Sequence, residues 1–125
     1  MAVTASLTKL LLGLNSIKDE GVGAVCEAIM SNKGTKITEL DFGNNNITPV
    51  GAKPVAAMIA VTGSLTSIDL RGNRLDAEAA KALAPAIAVA GSLTACDLRF
   101  NLLDEPAKQL LRDSVKGRPS FKLEL

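Results

Sequence analysis

The chain repeats one pattern at intervals of about 30, 28 and 28 residues, and this period constrains the fold more than any other feature. We count positions in the pattern from position 0, which holds Leu7, Ile37, Leu65 and Leu93. Apolar residues recur at positions 3 and 5 with mostly polar neighbours between them, and this alternation indicates a strand. Position 8 is asparagine in every copy: Asn15, Asn45, Asn73 and Asn101. Each copy therefore begins with a short strand and a turn.

The second half of each copy predicts a helix. Its apolar residues at positions 18 and 22 are four apart, which places them on one helix face. Three of the four helices are preceded by a residue type that caps helix N-termini: Thr48, Asp76 and Asp104. Each copy is therefore one unit of strand, turn and helix, and such units stack on their neighbours.

This pattern, L-x-x-L-x-L-x-x-N-x-I/L followed by a helix, resembles the leucine-rich repeat, and its length resembles the ribonuclease-inhibitor-like class of that family. The resemblance covers residues 7–118. It implies an α/β solenoid shaped as a short horseshoe arc, with a parallel sheet on the concave side and helices on the convex side. We expect a single domain over 1–125, with about four repeats and a terminal strand: 7–36, 37–64, 65–92, 93–120 and 121–125.

The repeated asparagine is predicted to be structural. Where each strand turns away, its amide can bond backbone groups that the bend leaves unpaired, and stacked copies would form a buried ladder. Cys96 stands at a leucine position and is expected to pack as a small core hydrophobe. Cys26 lies three repeats away, too far for a disulfide.

Composition argues against several function classes. The formal net charge is +1, which gives no general attraction to nucleic acid or to an anionic membrane. The chain has no histidine, the commonest general base and zinc ligand. The apolar stretch 77–90 is too short for a membrane span and contains Lys81. We therefore expect a cytoplasmic protein without a cofactor or enzymatic activity.

Equivalent positions form rows across the predicted sheet, and positions 2, 4 and 6 face away from the core. The row at position 4 holds Leu11, Asp41, Asp69 and Asp97, and the row at position 6 holds Gly13, Gly43, Arg71 and Arg99. Three adjacent carboxylates suggest a cation site or paired acids, whereas arginines two residues further on favour exposed Arg–Asp pairs. Aspartate is common at this position in leucine-rich repeats, so the resemblance favours a framework role.

Concave-face residues that differ between repeats are the stronger candidates for contact with a protein partner. Three arginines and one aromatic residue are predicted to form a basic patch there: Arg71, Arg74, Arg99 and Phe100. Arginine and aromatic residues are favoured at protein interfaces. The alternative is a group of solvated arginines with Phe100 packed under the turn, although the neighbouring Leu102 favours contact. The predicted binding residues are Arg71, Arg74, Arg99, Phe100, Glu39, Asn44, Asp41, Asp69 and Asp97.

The first strand carries apolar residues where later repeats are mostly polar. Leu11 and Leu14 predict a contact at this edge, either between two copies of the chain as a homodimer or within a longer array.

The family resemblance implies a non-enzymatic protein–protein interaction module. Two alternatives remain open: a regulator that activates a small GTPase through Arg71 or Arg74, and a fragment of a larger repeat scaffold.

Overall fold

Strands and helices alternate along the chain in a computed structural model that describes residues 8–14, 16–32 and 34–125. The strands in these residues are β1 (Lys9–Leu11), β2 (Glu39–Asp41), β3 (Ser67–Asp69), β4 (Ala95–Asp97) and β5 (Lys122–Glu124). The helices are α1 (Lys18–Ser31), α2 (Pro49–Val61), α3 (Ala77–Val89) and α4 (Glu105–Ser114). The predicted repeat of strand, turn and helix is confirmed, as is the terminal strand.

The strands form one parallel sheet in the order β1-β2-β3-β4-β5, so each repeat lies beside the next. The register joins equivalent positions, with Leu40 opposite Ile68 and Asp41 opposite Asp69. Each helix packs on the helix of the next repeat and forms the second layer. The predicted α/β solenoid is therefore confirmed. No helix in the described ranges is long and apolar enough to cross a membrane.

The core lies between the sheet and the helices and is almost entirely aliphatic. Leu40 in β2 is buried in this core, as are Phe42 and Leu70, which directly follow β2 and β3. Cys26 and Cys96 are buried as well, and this burial raises the pKa of each thiol to about 12. Both cysteines are therefore protonated at neutral pH and act as packing groups, as predicted for Cys96.

The asparagines at position 8 form the predicted ladder, in which the described members are Asn45, Asn73 and Asn101. The Asn73 Oδ1 atom accepts the backbone N–H groups of Asn45 and Ile47, both at 3.0 Å. Its Nδ2 atom donates to the carbonyl oxygens of Leu70 at 2.8 Å and Phe42 at 3.1 Å. Each amide therefore ties its own strand end to that of the preceding repeat. Leu7 and Asn15 lie outside the described residues.

All three predicted helix caps are present at Thr48, Asp76 and Asp104. The start of α2 has an additional cap from the preceding repeat, because Asp19 Oδ1 accepts the N–H groups of Thr48 at 2.7 Å and Gly51 at 3.0 Å. A Cβ atom at Gly51 would lie 2.4 Å from that oxygen, so glycine is required for this approach. The cap therefore depends on two neighbouring repeats.

Arg118 closes the C-terminal end of α3. Its guanidinium donates to the carbonyl oxygens of Ile87 at 2.8 Å and Ala90 at 3.0 Å, and also to that of Leu93. It lies 4.8 Å from the ring centroid of Phe121, within cation–π range. The last turn of α3 has no basic residue of its own, so Arg118 supplies the positive charge that favours a helix C-terminus.

Candidate protein-binding face

The aspartates at position 4 close the turns after β2, β3 and β4. In each of them the Oδ1 atom accepts the backbone N–H two residues further on, at 2.8 to 3.0 Å, in Asp41, Asp69 and Asp97. These Asx turns satisfy backbone groups that leave the sheet. Across the part of the chain that the structure describes, no His, Cys, Asp or Glu cluster is arranged to hold a metal ion. The geometry therefore favours the framework role of these carboxylates.

Arginines at position 6 pair with two of these aspartates. Arg99 donates to Asp97 through both Nε, at 3.0 Å, and Nη2, at 2.8 Å, and its Nε also lies 3.2 Å from Glu124 Oε2. Arg71 Nε lies 3.5 Å from Asp69 Oδ2. The structure thus contains the Arg–Asp pairs that the sequence favoured, and Arg71 and Arg99 are largely occupied within the chain.

The two paired aspartates differ in their electrostatics. The Arg99 side chain holds the pKa of Asp97 below its usual range through its hydrogen bonds. Burial raises the pKa of Asp69, and the neighbouring charges of Asp41 and Asp97 raise it further. A bidentate partner therefore stabilises one carboxylate more strongly than a single, longer contact stabilises the other.

Phe100 lies in solvent on the turn after β4. Its side chain is 77% exposed, so the interpretation in which it packs under the turn is wrong. Its φ of 60° lies in the left-handed region, which bulky residues rarely adopt. The equivalent residues of the two preceding repeats are Asn44 and Gly72, which suit such a backbone. Phe100 is therefore exposed in a strained backbone conformation.

Arg74 and Leu102 stand at position 9 of neighbouring repeats, close to the same turns. Leu102 is 61% exposed. Arg74 is exposed, and its guanidinium pairs with no carboxylate of residues 8–14, 16–32 and 34–125. We call Arg74, Phe100 and Leu102 the Phe100 patch. It combines one unpaired cation with two exposed apolar side chains.

The N-terminal half of the concave face carries the other predicted residues. Leu11 is 66% and Leu14 80% exposed, as the edge prediction requires. Glu39 pairs with Lys9 at 3.7 Å. Asn44 is exposed and lies over Gly72, where a Cβ atom would come within 2.1 Å of its Oδ1 atom. The predicted residues thus lie on the strands and on the turns that follow them, divided between two regions.

This face also contains a cavity of about 230 Å³ that was not predicted from the sequence. Its lining residues include Gly13, Gly43, Asp41, Leu11, Leu14 and Arg71. We call it the Gly43 notch. The signal for it was present in the row at position 6, where repeats one and two have glycine in place of arginine.

Comparison with known families agrees with this architecture. The family described as Leucine Rich repeat matches residues 5–26, 35–56 and 64–84. The chain belongs to the leucine-rich repeat family. No curated protein matches this leucine-rich repeat chain in sequence. The match covers the strand and the first part of the helix in three successive repeats.

Solved structures share the fold of this leucine-rich repeat chain at low sequence identity. One is titled leiomodin-1 actin-binding site 2, with a TM-score of 0.84, 17% identity, and coverage of 96% of this chain and 70% of the other. Another is the tropomodulin C-terminal domain of Caenorhabditis elegans, with a TM-score of 0.82, 16% identity, and coverage of 97% and 74%. At identities this low, the structural similarity establishes a common fold alone. The leucine-rich repeats themselves support a protein-interaction module.

Proposed function

We propose that this chain is a non-enzymatic, cytoplasmic module that binds a protein partner on its concave face, with the Phe100 patch as the principal contact. Leucine-rich repeats expose a rigid sheet on which side chains vary from repeat to repeat. On such a rigid scaffold, a few well-placed aromatic and arginine residues can supply most of the binding energy.

The exposure and backbone conformation of Phe100 are the observation that carries this proposal. A left-handed conformation costs an L-residue roughly 1–2 kcal/mol, and exposure of the ring gives no packing energy in return. Strained residues of this kind concentrate at functional sites. A partner that buries the ring would supply the compensating energy.

Arg74 is the arginine best suited to meet a partner's carboxylate. Arg71 and Arg99 already contact Asp69 and Asp97. Reversal of their charge would therefore place like charges side by side and disturb the fold itself. A change at Arg74 removes a cation without breaking an ion pair in the described residues.

Actin is the first purified partner to test, because the leiomodin-1 structure is titled an actin-binding site. We expect wild-type protein to bind, and Phe100→Asn to bind about tenfold more weakly, since an interface anchor is lost. Val89→Asn is the matched control: Val89 is 68% exposed but lies at the end of α3 on the helix layer. Affinity capture from the source cell with the same variants extends the test to other partners. Equal retention by all three proteins would contradict the proposed role of the patch.

The activation of a small GTPase remains an alternative because Arg74 is exposed and has no ion pair within the described residues, as an arginine finger requires. Stimulated GTP hydrolysis that disappears in Arg74→Ala would favour this alternative. Binding without such stimulation would favour the interaction module.

Self-association at the β1 edge is a further proposal, supported by the exposure of Leu11 and Leu14. Light scattering at high protein concentration tests it, because a dimer would double the measured mass. A monomer would contradict it. Repeats encoded before Met1 would instead indicate part of a larger scaffold.

A further inference from the structure

The Gly43 notch differs from the C-terminal half of the concave face because it has glycine at position 6, where repeats three and four have arginine. In repeats three and four, an arginine at position 6 lies against the aspartate at position 4. In repeat two the aspartate is Asp41, and position 6 is Gly43. Asp41 has no ion pair within the described part of the chain. Repeat two thus has the carboxylate of the pair without its cation.

The carboxylate of Asp41 is held in the same way as those that do have a cation. Its Oδ1 atom accepts the Gly43 N–H at 2.8 Å, just as Asp97 Oδ1 accepts the Arg99 N–H at 3.0 Å. Asp41 also lines the notch. Asp41 is therefore oriented by the backbone and does not need a partner to fix its position.

We propose that the Gly43 notch binds an arginine side chain of a partner protein. The contact between Arg99 and Asp97 is the template, in which one guanidinium donates to both carboxylate oxygens. In the notch the same contact would form between two chains. The exposed side chains of Leu11 and Leu14 would cover the methylene groups of the incoming arginine.

The local charges favour a cation at this place. Arg71 lies on one side of the notch, but its charge is balanced by Asp69 at 3.5 Å. Lys9 is balanced by Glu39. Asp41 therefore contributes the unbalanced charge, which is negative and complementary to a guanidinium.

This inference rests on the proposed function in one respect, since a protein partner supplies the arginine. It concerns a different region from the Phe100 patch, and a short peptide can test it without any partner. A negative result for arginine binding in the Gly43 notch can therefore be distinguished from a negative result for partner binding at the Phe100 patch.

Titration of ¹⁵N-labelled protein with a blocked Gly-Arg-Gly peptide tests the proposal by NMR, which detects the weak binding that one exposed ion pair gives. We expect shifts at the amides of Gly13, Gly43 and Asn44. A citrulline peptide of the same shape, without the charge, should produce much smaller shifts.

Two variants should weaken peptide binding by about fivefold, the factor that corresponds to loss of one such pair. Asp41→Asn removes the charge and retains an oxygen for the Gly43 N–H. Gly43→Arg fills the notch from within the chain, as Arg71 and Arg99 do in the later repeats. Gly63→Arg is the matched control, because it adds the same charge where a Cβ atom meets nothing within 4 Å. It should bind like the wild type.

Equal shifts with the arginine and citrulline peptides would overturn the proposal, as would full binding by Asp41→Asn. Equal weakening by Gly63→Arg and Gly43→Arg would also overturn it, since the effect would then come from overall charge. Binding lost in the two notch variants but retained in Phe100→Asn would support the notch as a separate site.

Discussion

The two halves of the concave face share one backbone and one row of aspartates, yet they differ in how those aspartates are neutralised. In the C-terminal half, Arg71 and Arg99 neutralise the carboxylates within the chain. In the N-terminal half, position 6 is Gly43, and Asp41 lines the notch without an ion pair in the described residues. A framework residue thus becomes a candidate binding group where its neighbour is missing. The two regions have the same fold and are distinguished by the residue at position 6, which is Gly43 in one and Arg71 and Arg99 in the other.

Breaking the ladder that joins the halves should have the largest effect. Asn73→Leu preserves volume but removes the hydrogen bonds to Asn45, Ile47, Phe42 and Leu70. Because a buried unpaired backbone group costs roughly 1–3 kcal/mol, we expect the free energy of unfolding to fall by about 3 kcal/mol or more. Urea denaturation measures it. Asn101→Leu, at a more exposed asparagine, should cost less, and equal losses would contradict a graded ladder.

Loss of the cap at the C-terminal end should have the next largest effect. Arg118→Met keeps an apolar stem but removes the donors to Ile87, Ala90 and Leu93. Hydrogen bonds from a charged group contribute about 1.5–3 kcal/mol, so we expect the free energy of unfolding to fall by about 2 kcal/mol. Thermal unfolding checks this value. Arg112→Met is the control, because that arginine makes only a 3.8 Å surface contact with Glu105.

Substitutions that relieve backbone strain should have a smaller effect on the free energy of unfolding, and they allow the two ends of the sheet to be compared. Phe100 has φ 60° and Leu14 has φ 62°, both in the left-handed region. Asparagine tolerates this region, so Phe100→Asn and Leu14→Asn should each raise the free energy of unfolding by about 1 kcal/mol. Calorimetry measures both. A gain in stability together with weaker partner binding in Phe100→Asn would show that the strain serves binding, whereas a loss of stability would show that the ring stabilises the fold.

The smallest predicted effect concerns pH. Arg99 lowers the pKa of Asp97 from its usual 3.8, so Asp97 contributes stability above that value, and this is lost as pH falls through the lowered folded pKa. Burial raises the pKa of Asp69, so Asp69 favours folding below 3.8 and loses this contribution as pH rises through its raised folded pKa.

Asp97→Asn should therefore lower the free energy of unfolding at pH 7 by about 1 kcal/mol or less, with no loss in strong acid. Asp69→Asn should improve relative to the wild type as pH rises from acid to neutral. Denaturation at several pH values measures both trends. Parallel trends in the two variants would contradict the difference between the paired aspartates.

Much of the fold was predictable because it depends on local and periodic signals. Strands, helices and caps follow from the spacing of apolar residues and from residues such as Thr48, Asp76 and Asp104. The role of the asparagines also followed, since their regular spacing stacks them in a parallel sheet. The Arg–Asp pairs were predictable because both residues lie on the same strand end.

The candidate site was less predictable, because exposure depends on residues of other repeats. The sequence named Phe100 but left two interpretations of it open, and only the structure placed the ring in solvent. The structure also showed that Arg71 and Arg99 form ion pairs, whereas Arg74 forms none within the described residues. The Arg118 cap and the Gly43 notch were missed, since each is formed by residues about 30 positions apart.

The sequence by itself determined a leucine-rich repeat solenoid with an aliphatic core, an asparagine ladder and a concave row of aspartates. Tertiary structure alone decided that the Phe100 side chain lies in solvent, that Arg74 has no ion pair within the described residues, and that Asp41 lines an open notch. The physical reason is that periodicity specifies where each backbone segment lies. The packing of adjacent repeats then determines how far each side chain is exposed and which residues from different repeats meet.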